Sequence, residues 1–315
     1  MKQLHFKNND PIPSIGLGTW KATGNDVKNA VKEALNAGFR HIDTAAIYGN
    51  ETEIGEALTE VFNEGIIKRE DVFVTSKLWN DSHKEEHVIP ALKDTLKKLQ
   101  LNYLDLYLIH WPVAFKHGVM LPNTPSDYVS LEKTPIAETW KEMEKVKDMK
   151  LTKHIGVSNF SKKKLKDLIS KSNSKPEMNQ VELHPLLQQN ELFSYCKDQN
   201  ILLTGYSPLG SGDRSEQMKA ENEPNLMQIP AINEIAKKHN VSPAQVLIQW
   251  QTNRGTVVIP KSISKNHIIS NFEAANISLD TNDMNAIAGL DKNFRFINGK
   301  FFEMPGSGYS NIYDE

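Results

Sequence analysis

The sequence predicts an α/β fold, a (β/α)8 TIM barrel, on three observations. Short aliphatic or β-branched runs alternate with amphipathic segments of helical period. There are eight such runs, and no Pro-, Gly- or Ser-rich linker divides the 315 residues. Strand–helix alternation of this length implies a parallel sheet. Eight units favour closure into a barrel over an open, doubly wound sheet.

The elements follow in order. Residues 4–6, a polar turn at 7–10 and Pro11-Ile12-Pro13 read as a hairpin, and residues 1–14 close the bottom of the barrel. The eight strands fall at 15–17, 40–42, 72–75, 104–109, 154–157, 179–182, 202–205 and 256–259. Helical patterns separate them at 26–36, 51–62, 84–99, 136–147, 164–171, 190–198 and 229–239, with another at 243–251 and one after the last strand. Capping chemistry marks several starts: Asn25-Asp26, Ser161, and Ser242 followed by Pro243 at a first helical position. Three connections exceed the usual length of about 2–6 residues: 111–135, 207–228 and the tail 291–315. The first two follow strands four and seven, on the face where barrel enzymes keep their chemistry, so they read as lids. One domain is expected across 1–315, with 291–315 as a loop over the active site.

Composition removes several classes. The chain is 39% hydrophobic with a net charge of -2, which excludes intrinsic disorder and a strong basic field for nucleic acid. A single cysteine, Cys196, cannot form an internal disulfide and reads as a packing residue on a helix. No run reaches the ~18 apolar residues that span a bilayer, and MKQLHFKNND has no apolar leader. A cytoplasmic protein is expected, with neither nucleic acid nor membrane as partner. The sequons at Asn50 and Asn276 read as chance matches.

Chemistry gathers at the strand ends. Strand one ends in Gly18-Thr19-Trp20, strand two in Asp43-Thr44, strand three in Lys77 and strand four in His110-Trp111. Strand five ends in Ser158-Asn159, strand six carries Gln180 and Glu182, strand seven ends in Tyr206-Ser207, and strand eight in Lys261-Ser262. In a barrel these converge on one mouth. Solvated strand ends would explain polar residues in general. They do not explain an acid, an amine and an imidazole on three successive strands, with Tyr48 in the loop between the first two. A nearby ammonium lowers a phenol's pKa. A carboxylate holds the ammonium, and an imidazole orients a carbonyl. The set is a general acid for a carbonyl oxygen. It holds no electron donor, so reduction requires a hydride from a cofactor.

The motifs GLGTWKA, GFRHIDTAAIYGNE, VTSKLWN, DLYLIHWP, HIGVSNF, NQVELHPLLQQ, GYSPLGSGDR and VIPKS run from end to end of the chain. On them the sequence resembles the aldo-keto reductases, in the aldose/aldehyde reductase branch. The resemblance implies a barrel that reduces aldehydes and ketones, small-molecule carbonyl substrates, with NADPH. It implies Tyr48 as proton donor, Lys77 and Asp43 as its tuning pair, and His110 as the carbonyl-positioning group. It implies cofactor contacts from Gly18, Thr19, Trp20 and Asp43, carboxamide contacts from Ser158, Asn159 and Gln180, and stacking by Tyr206. Ser207, Leu209, Ser211 and Asp213 match the loop over the pyrophosphate. Lys261, Ser262 and Ser264 match the 2′-phosphate end, and Asn271 an adenine contact. The family commonly has Arg where this chain has His267, and an acid where it has Ser270. An imidazole replaces a permanently charged, bidentate clamp. The expectation is NADPH preferred by a smaller margin, with NADH usable.

Trp20, Trp79 and Trp111 follow catalytic strands and read as an apolar substrate wall beside Tyr48 and His110, with Phe115, Phe301 and Phe302 completing it. Lys21 at the mouth could favour anionic substrates. His83 and His87 fit a short inverted zinc-protease pattern one turn apart on a helix. Such patterns recur by accident, and the segment reads as the charged start of the third helix, without a metal. Gly16-x-Gly18 lacks the third glycine of a dinucleotide fingerprint and reads as close packing at the mouth. The run 162–164 reads as a solvated helix start. A cofactor-binding accessory barrel without turnover is the alternative function, and a monomer or weak homodimer is expected.

Overall fold

The computed structural model describes residues 2–215, 219 and 222–315. It begins with an antiparallel pair, β1 (Gln3–His5) and β2 (Pro11–Pro13), with Leu4 opposite Ile12. The alternation starts with β3 (Leu17–Gly18), α1 (Gly24–Ala37), β4 (His41–Asp43), α2 (Glu51–Asn63), β5 (Phe73–Leu78), α3 (Glu85–Leu99) and β6 (Leu104–Ile109). A two-stranded ribbon interrupts it, β7 (Ala114–Phe115) against β8 (Tyr128–Val129). It resumes with α4 (Ile136–Asp148), β9 (Thr152–Ser158), α5 (Lys162–Ser170), β10 (Met178–Glu182), α6 (Asn190–Asp198) and β11 (Leu202–Tyr206). Two helices in succession, α7 (Pro230–His239) and α8 (Pro243–Arg254), lead to β12 (Val257–Val258), and α9 (Lys265–Glu273) and α10 (Thr281–Ala288) follow.

The eight parallel strands lie in the order β12-β11-β10-β9-β6-β5-β4-β3. The ends of that sheet meet. Gly16 N donates to Val258 O at 2.9 Å, Gly18 N donates to Pro260 O at 3.1 Å, and Gly18 bridges Lys261 in parallel. The sheet therefore closes into the (β/α)8 barrel that the alternation predicts. Gly18 is needed at this seam, because a Cβ there would stand 2.7 Å from Ile259 O. That is the close packing expected of the glycine.

Local chemistry explains the boundaries. β5 runs on to Leu78, three residues past the predicted end, because the polar Ser76 and Lys77 are buried against the carboxylates of Glu51 and Asp43. A hydrophobicity pattern truncates such a strand. Ser242 caps α8 in a capping box with Gln245, and Ser161 Oγ accepts from Lys164 N at the start of α5. The first helix differs from expectation. It begins at Gly24 after Thr23, and Asp26 lies inside its first turn, where a carboxylate still suits the helix dipole. Gly38 ends α1 at φ 110°, beneath the Phe272 ring.

The core lies between the strands and the helical ring and includes Phe39, Leu58, Leu92, Tyr107, Trp140 and Phe160. A separate cluster plugs the barrel bottom: Phe6 and Ile12 from the hairpin meet Phe73, Leu106, Leu108, Met178 and Val257. Phe6 stacks on His154 at 3.7 Å. Burial of such an aromatic is worth about 2–3 kcal/mol, so the hairpin is held by packing as well as by its own ladder. Cys196 is fully buried on α6, and burial pushes its thiol up to about 12. Among the described residues no helix is long and apolar enough to cross a membrane.

Candidate active site

The parallel register of β4 and β5 sets Asp43 level with Thr75, two residues before Lys77. Lys77 is completely buried. Its ammonium donates to Asp43 Oδ1 at 2.6 Å, to Thr44 O at 2.8 Å and to Tyr48 OH at 3.4 Å. Three donors thus meet three acceptors. Asp43 Oδ2 accepts from Gln180 Nε2 at 2.7 Å, across the barrel from β10. Tyr48 closes a short 3-10 turn, Ala46–Tyr48. Buried Asn50 ties that turn to the first loop, donating to Thr19 O at 2.9 Å and Ala22 O at 2.8 Å while accepting from Thr44 Oγ1. Asn50 is a positioning residue that sequence reasoning set aside as a chance sequon. Its place two residues after Tyr48 was the available signal.

The electrostatics correct one expectation. Burial pulls the Lys77 ammonium down, but Asp43 and Tyr48 outweigh it and hold Lys77 above its ordinary value. Burial pushes the Tyr48 phenol up and Lys77 draws it down; burial wins, so the net shift is upward. The ammonium moderates the rise rather than producing an acidic phenol. Tyr48 therefore carries its proton at neutral pH, as a proton donor must. Burial, then the Lys77 charge, drives His110 well below its usual range, so it is a neutral imidazole. Its ring lies edge-on to Tyr48 and to Trp79, with centroids 5.8 Å and 5.2 Å away.

Above these residues lies a cavity of about 780 Å³. Gly18, Thr19, Trp20, Asp43, Ser158, Asn159, Gln180, Tyr206, Ser207, Leu209, Ser211, Asp213, Lys261, Ser262, Ser264 and His267 all line it. Asn271 does not; it is buried on α9. Lys21 is engaged rather than free for an anionic substrate. It pairs with Asp213 at 2.5 Å, Lys261 reaches the same carboxylate at 3.2 Å, and the Lys21 ammonium lies 4.2 Å from the Trp20 ring centre. Part of the loop 207–228 lies outside the described residues. The other end of the cavity is apolar: Trp20, Ile47, Trp79, Trp111, Leu121, Phe301 and Phe302 surround Tyr48 and His110. Trp79 Nε1 donates to Met120 O at 2.8 Å, which fixes the ring against loop 111–135. Phe115 is not in the wall. It sits on the ribbon, edge-on to Trp79 and Tyr128, and supports the wall from behind.

Two other residues change role. Glu182 is fully buried and accepts from Phe296 N at 2.6 Å, Ile297 N at 2.8 Å and His184 Nε2 at 2.8 Å, so it anchors the tail rather than the mouth. His83 lies in the turn before α3, not on the helix with His87. Among the described residues no group of three His, Cys, Asp or Glu side chains is arranged to hold a metal.

The arrangement can deliver one proton to an oxygen at the cavity floor. None of the side chains there can supply electrons. The fold and site therefore define a barrel with a general-acid centre at its mouth. Comparison with known proteins makes the class specific. The Aldo/keto reductase family profile matches residues 14–292. An aldo/keto reductase of Synechocystis is 48% identical over 317 residues, covering 100% of this chain and 97% of that protein. The aldo-keto reductase family 1 member A1 of Xenopus tropicalis is 50% identical over 288 residues, 91% of this chain and 88% of its own. The structure of the aldose reductase from Schistosoma japonicum matches with a TM-score of 0.89 at 39% identity, covering 99% of this chain and 98% of that one. The chain belongs to the aldo/keto reductase family, the oxidoreductases of carbonyl reduction.

Removing the ammonium alone tests the floor. Lys77→Met leaves the Asp43 carboxylate buried without its cation and should lower unfolding stability by about 3 kcal/mol in urea titration. An unchanged midpoint and slope would show that the pair is not what satisfies Asp43.

Proposed function

We propose that this protein reduces aldehydes and ketones to alcohols using NADPH, with Tyr48 as the proton donor. The observation that carries the reading is a protonated phenol 3.4 Å from a buried ammonium, at the floor of a long cavity. The residues fit a dinucleotide. Hydroxyls of Ser262 and Ser264, the Lys261 ammonium and His267 gather where α9 begins, and helix N-termini with basic side chains favour phosphate. Ser207, Leu209, Ser211 and Asp213 would cover the pyrophosphate. Ser158, Asn159, Gln180 and Tyr206 would hold the nicotinamide end, with Gly18, Thr19, Trp20 and Asp43 alongside. When bound, the cofactor supplies a hydride.

The chain's own residues do the rest. Neutral His110 can donate one hydrogen bond to the carbonyl oxygen and fix its place. As the carbonyl carbon gains the hydride, the oxygen takes the Tyr48 proton and the alcohol forms. Lys77, held charged by Asp43, stabilises the phenolate left behind until solvent returns a proton. The aromatic wall excludes water from the reacting centre. That wall has no free charge, and Lys21 is committed to Asp213. The substrate end therefore suits apolar and aromatic aldehydes better than sugar acids or aldose phosphates.

The sharpest test is Tyr48→Phe. Aldehyde reduction should fall by about 10²–10⁴-fold while NADPH affinity stays nearly unchanged; retained turnover removes Tyr48 as the acid. The wild type adds a pH signature. The phenol's pKa lies above its ordinary 10.0, so its proton is present through neutrality and lost only at alkaline pH. kcat/KM should stay flat through neutral pH and fall only above pH 10.0. NADPH binding without turnover would favour the accessory barrel.

Cofactor choice rests on His267. NADPH should exceed NADH in kcat/KM by a modest margin, and His267→Arg should widen it about tenfold, the worth of one charged hydrogen bond. A strong preference that the substitution leaves unmoved would sink this idea. For the substrate end, a panel of aromatic aldehydes, aldoses, sugar acids and aldose phosphates should give the aromatic aldehydes the highest kcat/KM. A sugar acid at the top would contradict the apolar assignment.

A further inference from the structure

A second, more open cavity of about 1180 Å³ lies between the starts of α5 and α6 and the tail. Its basic groups face the tail's own acids. Ser161 Oγ and Lys164 Nζ each donate to Asp314 Oδ2 at 2.5 Å, and Lys163 lies 3.5 Å from its other oxygen. Arg295, its side chain only 6% exposed, pairs with Glu315. Within the run at 162–164, Lys163 and Lys164 therefore dock the tail, while Lys162 pairs with Glu191 of α6, so the run is not merely a solvated helix start.

Tyr313 lies between these anchors. Its ring lies 3.7 Å from the Arg295 guanidinium. Its hydroxyl donates to Ile297 O at 2.9 Å and stands 3.4 Å from both Tyr206 OH and Asn159 Oδ1. Those two partners are themselves bonded, Tyr206 OH donating to Asn159 Oδ1 at 2.7 Å. Asn159 Nδ2 in turn donates to His110 O at 3.0 Å and to Ser158 Oγ at 3.2 Å. Asn159 holds a left-handed φ of 65°, a conformation that its surroundings must maintain. Tyr206, Asn159 and Ser158 line the catalytic cavity; Tyr313 lines only the outer one.

We propose that Tyr313 is a positioning residue for the cofactor face of the cavity. It buttresses the Tyr206–Asn159 pair from behind, and Asp314 latches it in place. The same turn that presents Asn159 inward carries Ser161, which receives the latch outside. Tail docking and cofactor geometry are thus coupled through two residues of separation. The proposal rests on the carbonyl-reductase reading above.

The test uses the full chain with Tyr313→Phe, Asp314→Asn and the double variant. The readouts are NADPH affinity by fluorescence, kcat and KM for an aromatic aldehyde, and melting temperature. Tyr313→Phe keeps the ring and its packing and loses one hydroxyl bond to Ile297 O, so the melting temperature should fall only slightly. The NADPH Kd should rise about three- to tenfold, the worth of one hydroxyl contact, with aldehyde KM nearly constant. Asp314→Asn should move NADPH affinity the same way by less, and add nothing in the Tyr313→Phe background, because coupled residues are non-additive. An unchanged NADPH Kd in Tyr313→Phe overturns the proposal, as do parallel shifts in both substrates' KM with a large fall in melting temperature. Additivity in the double variant overturns the latch. Absence of NADPH binding or turnover in the wild type would instead overturn the reading beneath it.

Discussion

A lysine ammonium inside a barrel, with no exposure to water, is the constraint on which the rest of the structure depends. An unpaired charge there would be prohibitively costly to bury. It is accepted because three oxygens surround Lys77 Nζ: Asp43, Thr44 O and Tyr48. Those partners come from β4 and the turn after it, so the first strands of the barrel must sit in one register. Gln180 completes the arrangement. It belongs to β10, which lies on the opposite side of the ring from β4 in the strand order. Its amide reaches the second oxygen of Asp43. Barrel closure and the charged pair thus support each other. Buried pairs of this kind are weak sources of stability. Their value here is chemical, since the pair keeps a cation against a phenol.

The same logic recurs at the loops. Each long connection on the mouth is tied to the barrel by a polar contact from another segment. Glu182 receives two backbone amides of the tail, and Trp79 donates its indole N–H to loop 111–135. The Lys21–Asp213 pair joins the loop after β3 to the loop after β11 across the cavity. Backbone that leaves regular structure must find such partners when it is buried. The apolar half of the cavity is then built by aromatic packing between loops, as where Trp111 meets Phe302 edge-on at 5.0 Å.

The phenol shows why geometry decides chemistry. An ammonium lowers the pKa of a neighbouring tyrosine, and burial raises it. Both effects act on Tyr48, and the outcome depends on how deeply the hydroxyl is buried and how near the ammonium comes. At 3.4 Å the contact is long for a hydrogen bond, and burial prevails. The result is a protonated phenol beside a buried cation.

Period and strand-end chemistry made most of this legible in the sequence. Alternating strands and helices carry a hydrophobic period that survives without coordinates, so eight units implied a barrel. Residues at strand ends must meet at one mouth once the barrel closes, so Asp43, Lys77 and His110 could be gathered from their positions alone. The cofactor-side residues came from motif resemblance, and all but Asn271 line the cavity. What escaped were facts about facing. Phe115 lies behind the wall, Asn271 is buried on α9 away from the lining, Glu182 turns to the tail, and Lys21 is already paired. Lys164, in the run at 162–164, meets the Asp314 carboxylate 150 residues away in sequence. Local sequence determines which residues share an element and which element ends share a face. Which side chain reaches the cavity, and which partner neutralises a charge, depend on contacts between distant segments, and only the tertiary structure decides those.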